Sequence, residues 1–239
     1  MNIRYFIFGA SSYIAKKFIV QVSKKNDVIC FSSKKKDLGA FNKKVKHIKT
    51  SYNTKNINQF IKKNINKNKK NIFLFFNGIS EDKAFYKLSA NDITKIIKIN
   101  YVQPIIITQC ILKNYLLYKP TFIYFSSSRA IKGDKGISIY GSSKNAIKSF
   151  VKSMSLEYGE FGINFRVILL GLFKGGLNDK LSLEQRKSIF NQSAIREYVS
   201  NSIVKFSEEK NLYKYVKVFL NGSWIGITYE PLELYNSLK

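Results

Sequence analysis

Histidine and cysteine are almost missing from this chain. His47 is the single histidine, which leaves no Ser-His-Asp catalytic set unless that one residue serves it. Flanked by Lys46 and Lys49, it reads as a solvated surface side chain. The two cysteines, Cys30 and Cys110, lie in apolar runs without metal-ligand spacing, which argues against a disulfide framework and points to a reducing, cytoplasmic setting. Long uncharged apolar runs are lacking too. Ile3–Phe8 is too short to span a bilayer, and the stretch from Tyr101 to Tyr118 is broken by Gln103, Pro104, Gln109, Lys113 and Asn114. No membrane insertion is expected. Acidic residues number 15 against 41 basic ones.

Lysine is what the chain has in excess. The formal net charge is +26, and only five of the basic residues are arginine. The lysines are spread along the chain, densest at 34–36 and 62–70, with no zinc-finger or RNA-binding motif nearby. Abundant Asn, Ile, Phe and Tyr accompany them, the bias an AT-rich genome imposes. A solvated basic surface is the reading, with no specific nucleic-acid site. Hydrophobic residues at 45% over 239 positions suit a single domain spanning 1–239.

Strand-like apolar runs alternate with helical stretches throughout. Strands are predicted at Ile3–Phe8, Asp27–Ser32, Val45–Ile48, Ile72–Phe76, Thr121–Ser126, Ile163–Leu170 and Val216–Leu220. Helices are predicted from the turn at Gly9–Ser12 to about Ser23, over Ile57–Ile65, from about Asn91 to Tyr118 with a kink at Pro104, from Ile139 to Tyr158, and over 196–208. Residues 171–195 lack a clean period and read as a loop. The pattern gives an α/β fold, one doubly wound domain with a mostly parallel seven-stranded sheet. Ligands of such sheets bind beyond the carboxyl ends of the strands.

Tyrosine followed four residues later by lysine occurs at Tyr13, Tyr115, Tyr140, Tyr213 and Tyr235, so the spacing alone selects nothing. Only Tyr140 has distinctive surroundings. It opens Tyr140-Gly141-Ser142-Ser143-Lys144-Asn145-Ala146 at a predicted helix start, and Ser127 stands thirteen residues earlier at a strand end. Gly133 and Gly136 lie between, and Asn100 lies 27 residues before Ser127. In these residues the chain resembles the short-chain dehydrogenase/reductase family, and within it the 3-oxoacyl-carrier-protein reductases. The likeness runs along essentially the whole chain.

That resemblance implies a Rossmann fold and hydride transfer between NAD(P)(H) and a carbonyl or secondary alcohol. It assigns Tyr140 as general acid/base, Lys144 as the cation that lowers the phenol's pKa and holds the nicotinamide ribose, Ser127 as the group orienting the substrate oxygen, and Asn100 as holder of a water leading from Lys144 to solvent. The cofactor turn, Gly9-Ala10-Ser11-Ser12-Tyr13-Ile14-Ala15, keeps one of the family's three glycines; Tyr13 and Ala15 replace the others. Ser11, Ser12 and the helix N-terminus offer donors to phosphate. After the second strand, Ser32-Ser33-Lys34-Lys35-Lys36 stands where an acidic residue would favour NAD, which points to NADP(H) over NAD(H). Asn77, Gly78, Gly171 and Phe173 are further cofactor positions by resemblance, Ser51 stands near a missing adenine-contacting Asp, and Asn221-Gly222-Ser223-Trp224 resembles a motif after the last strand.

Three readings of function stay open. One is a reductase of a sugar or nucleotide sugar of surface polysaccharide synthesis, suited by Lys174, Lys180, Arg186 and Lys187 in the substrate loop. Another is a 3-oxoacyl-carrier-protein reductase. The third is a non-catalytic nucleotide-binding protein. Arg129, two residues past Ser127, is placed either to meet an anionic part of the substrate or to form a surface salt bridge. The resemblance also implies a homodimer or homotetramer through helices 91–118 and 139–158, where Ile147, Phe150, Val151 and Met154 follow a helical spacing that core packing explains as well for some of them.

Overall fold

The computed structural model describes residues 3–33, 44–127, 130, 133–170, 182 and the backbone of 224–228. The opening apolar run forms β1 (Ile3–Phe8), and a turn at Gly9 leads into α1 (Tyr13–Val22), which buries Ile14, Ala15, Phe18, Ile19 and Val22 on one face. There follow β2 (Asp27–Ser32), β3 (Val45–Lys49), α2 (Thr54–Asn64), β4 (Lys70–Phe75), α3 (Ala90–Ile97), α4 (Gln103–Tyr115), β5 (Thr121–Ser127), α5 (Ser138–Tyr158), β6 (Asn164–Leu170) and β7 (Trp224–Thr228).

One sheet holds all seven strands in the order β3-β2-β1-β4-β5-β6-β7. The first six are parallel and β7 runs antiparallel to β6. The mostly parallel seven-stranded sheet is therefore present, with a different last strand. Val216–Leu220 and helix 196–208 lie outside the described residues. Trp224, expected in a motif after the final strand, instead begins it. Strand order reverses between β1 and β4, and this switch point fixes where a ligand crevice opens.

Parallel strands in register, roughly 4.8 Å apart, bring aligned side chains face to face. Here the aligned residues are aromatic. Phe31, Phe8, Phe75 and Tyr124 stack across four strands with ring centres 4.6, 5.0 and 4.9 Å apart. Phe6, Phe73, Phe122 and Phe165 form a second row on the same face. This face packs on α2, α4 and α5, while Tyr5, Ile7, Cys30, Leu74 and Ile123 on the other meet α1. At the amino ends of the strands Asp27 pairs with Arg4 and Lys69, each at 2.7 Å.

The helix expected from Asn91 to Tyr118 is interrupted before its proline. α3 passes into a π-turn, Lys98–Val102, in which the Gln103 N–H reaches the Lys98 carbonyl five residues back. Pro104 sits in the first turn of α4, where its missing N–H costs least. In a regular helix that N–H would close onto the Asn100 carbonyl; proline has none to give.

Candidate active site

The first turns of α5 face the carboxyl ends of β4 and β5, which sets Tyr140 and Lys144 one helical turn apart on the inner side. Lys144 is buried, and its ammonium donates to the carbonyls of Asn77 at 3.0 Å and Phe125 at 2.9 Å. These carbonyls stand in for water around a charge that would otherwise be too costly to bury. Desolvation still lowers its pKa to about 8. An ammonium has three donors, so one remains for a ligand or water. Its nitrogen lies 6.0 Å from the centre of the Tyr140 ring. A Cβ on Gly78 would come within 3.3 Å of that nitrogen, so the glycine makes room for the lysine.

Asn100 is buried in the π-turn, and its side chain is fully engaged. The oxygen accepts the Ile79 N–H at 2.8 Å, and the nitrogen donates to the Ile79 carbonyl at 2.9 Å and to the Ser143 hydroxyl at 3.0 Å. The side chain therefore splints the segment after β4 to α5, and its carbonyl is the group left for a water. Ser127 ends β5 and is buried, while its neighbour Ser126 donates to the Lys144 carbonyl at 2.8 Å. Gly133 and Gly136 both adopt positive φ in the loop between β5 and α5, and the Gly136 carbonyl accepts the Lys83 N–H at 3.0 Å. Of the rival tyrosines, two lie among the described residues. Tyr115 donates to Asn58 at 3.0 Å on α2, Tyr13 lies on α1, and Tyr213 and Tyr235 are outside the described residues.

The cofactor turn keeps the shape its sequence puts in doubt. Gly9 has φ of 72° and packs so tightly that a Cβ would stand 2.7 Å from the Asn77 nitrogen. Ser12 caps α1 by accepting the Ala15 N–H, with Ser11 half-buried before it and Ile14 buried after. The Tyr13 ring is 40% exposed, with the Lys17 ammonium 4.9 Å from its centre, so it turns along the helix. Ser33 is exposed at the end of β2. A capped helix start, a glycine without room for a side chain and an exposed hydroxyl at the β2 end together fit a dinucleotide. Lys34, Gly171, Phe173 and Arg129 lie outside the described residues, as does the loop 171–195 apart from Ser182.

Two residues correct the sequence reading. His47 is not a free surface group, because its Nε2 lies 2.8 Å from the buried Ser32 hydroxyl and burial lowers its pKa. Tyr52, and not Ser51, reaches the strand ends from beyond β3, where its hydroxyl accepts the Gly9 N–H at 2.9 Å. One tyrosine among fifteen, outside any motif, gave no signal.

Residues 5–186 match the family model described as short chain dehydrogenase. The chain belongs to the short-chain dehydrogenase family. It is an NAD(P)-dependent oxidoreductase of the carbonyl–alcohol type. Among known proteins, this short-chain dehydrogenase is similar to two 3-oxoacyl-acyl-carrier-protein reductases of Buchnera aphidicola. One, from the subspecies of Acyrthosiphon pisum, is 26% identical over 67% of this chain and 70% of its own. The other, from the subspecies of Baizongia pistaciae, is 24% identical over 61% and 62%. Its fold is similar to that of ElxO with NADP bound (TM-score 0.76, 19% identity, 88% of this chain and 93% of that one). It is also similar to 4-hydroxyisoleucine dehydrogenase complexed with NADH (TM-score 0.74, 19% identity, 92% of each chain). No helix among the described residues is long and apolar enough to cross a membrane.

Proposed function

We propose that this dehydrogenase interconverts a carbonyl and a secondary alcohol with Tyr140 as general acid/base, and that NADP(H) is its cofactor. The observation that carries the reading is the Lys144 ammonium, sequestered by two carbonyls and set beside the Tyr140 ring. The bound cofactor supplies the hydride. Delivery to a carbonyl leaves oxygen in need of a proton, and a phenol with an ordinary pKa of about 10 gives one reluctantly at neutral pH. A cation one turn away favours the phenolate and makes the proton easier to exchange. Ser127 orients the substrate oxygen, and the Asn100 carbonyl holds the water through which Lys144 meets solvent. Gly9, Ser11, Ser12, Tyr13 and Ile14 take the phosphates, Ser33 and Lys34 the 2′-phosphate, and Asn77, Gly78, Gly171 and Phe173 the rest of the dinucleotide. NADP(H) is supported by the hydroxyls and lysines after β2, where an acid would select NAD.

For the substrate, the polar loop 171–195 and Arg129 support an anionic sugar or nucleotide sugar. The names of the two Buchnera relatives favour the second reading, a 3-oxoacyl thioester on an acyl carrier protein. NADPH oxidation against keto-sugars, sugar nucleotides and 3-oxoacyl thioesters decides between them, and failure to bind either NADPH or NADH would leave only a non-catalytic protein. The enzyme is a cytoplasmic homo-oligomer in this reading, supported by a groove of about 550 Å³ between α4 and α5 lined by Ile105, Leu112, Leu116, Phe150 and Met154. Ile147 and Val151 are buried within the protomer and take no part in such a contact. A monomer by light scattering at micromolar concentration would refute the assembly.

A further inference from the structure

Tyr52 belongs to no motif, yet its phenol sits where three strand ends meet. Its backbone has φ of 63°, in the left-handed region that bulky residues rarely enter. The Thr50 hydroxyl holds this turn by accepting the Tyr52 N–H at 3.0 Å. The ring packs against the aromatic core face, and the hydroxyl projects beneath the turn after β1. There it accepts the Gly9 N–H at 2.9 Å and donates to the Phe31 carbonyl of β2 at 3.3 Å. One hydroxyl thus joins the ends of β1 and β2, and Gly9 in turn packs on Asn77 just beyond β4.

Asn77 carries the connection onward. Its own carbonyl is one of the two that hold the Lys144 ammonium. Its side-chain oxygen is buried without a partner among the described residues. Contacts therefore run from the Tyr52 hydroxyl through Gly9, packed on the Asn77 backbone, to Lys144.

We propose that Tyr52 is a positioning residue whose hydroxyl sets the spacing between the cofactor turn and the carbonyl that holds Lys144. The assignment of Lys144 made above underlies this inference. Affinity for the dinucleotide and the protonation of the lysine are then governed by one group. The phenol does here what neither Tyr13 nor Ala15 can do, fixing a turn that has lost two glycines. Removing the hydroxyl frees the Gly9 turn, loosens the Asn77 backbone packed on it and withdraws support from the ammonium. Tyr140 is the titratable side chain facing that ammonium, and the other recorded partners are the carbonyls of Asn77 and Phe125.

Tyr52→Phe keeps the ring and deletes the hydroxyl. In cofactor-free protein carrying 15N-labelled lysine, the Lys144 signal, assigned by its loss in Lys144→Met, should titrate at a pH lower by about 0.5 or more. NADPH affinity, read by fluorescence titration, should fall roughly fivefold or more. A variant that merely melts earlier, with titration and affinity unmoved, would overturn the proposal. If Tyr52→Phe does not fold, 3-fluorotyrosine introduced at position 52 keeps the shape and weakens the oxygen as an acceptor. A titration shift in the same direction then supports the role, and none overturns it. Wild-type protein that binds NADPH but reduces no carbonyl would sink the catalytic reading instead, because the lysine titration is measured without turnover.

Discussion

The Asn100 amide nitrogen donates to the Ser143 hydroxyl across 3.0 Å, and that hydroxyl donates in turn to the Tyr140 carbonyl at 2.7 Å. The π-turn thereby grips the first turn of α5 at the residue that would do the chemistry. Asn100→Ala leaves both backbone groups of Ile79 and the Ser143 hydroxyl short of a partner. It should cost about 2–4 kcal/mol. Urea unfolding measures this, and a loss below about 0.5 kcal/mol would mean water replaces the amide without penalty.

Tyr140→Phe removes the acid and keeps the ring. The rate constant kcat should drop roughly 100-fold or more while NADPH affinity stays close to that of the wild type. Undiminished turnover would remove Tyr140 from the mechanism.

Lys144 makes stability depend on pH with a definite sign. Its folded pKa of about 8 lies below its ordinary 10.5, so the unfolded chain holds the proton more tightly. The stability associated with this group is complete above about 10.5 and is lost as pH falls through about 8. Lys144→Met escapes the penalty, and at pH 7 it should be the more stable protein by up to about 3 kcal/mol, reduced by the two hydrogen bonds it forfeits. Near pH 10 that advantage should shrink to below about 1 kcal/mol. Chemical denaturation at both pH values checks it, and a gap that does not change between them contradicts the assignment.

Cofactor choice is tested where β2 ends. Ser33→Asp combined with Lys34→Ala substitutes an acid for the hydroxyl and removes a cation, which should shift preference from NADPH towards NADH. A wild type that already binds NADH more tightly would refute the NADP reading outright.

The sheet was legible in the sequence because parallel strands buried on both faces are written as short apolar runs, and six of them form within two residues of expectation. Tyr140, Lys144 and Asn100 were legible because their spacing is local to two helices and a strand end. Tyr52 was not, since its partners Gly9 and Phe31 are 43 and 21 residues away and a hydroxyl aimed at backbone groups leaves no pattern. The π-turn escaped for a related reason. Pro104 signals a disturbed helix, but the extra residue is taken up before it, at 98–102, where the side chains look like any helix. His47 was misread because its lysine neighbours suggest solvent, while its own side chain turns inward to Ser32.

The rows of stacked rings beneath the strand ends bear on how a ligand is received. A half-rotation of Phe8 would have to spread Phe31 on one side and Phe75 on the other, and Phe75 is itself pressed against Tyr124. Ring flips along such a row are coupled, so they should be slow, and the strands they bridge resist being drawn apart. The close packing of Gly9, just past β1, on Asn77, just past β4, is then fixed before any ligand arrives. A dinucleotide arriving there meets a floor whose shape is already set.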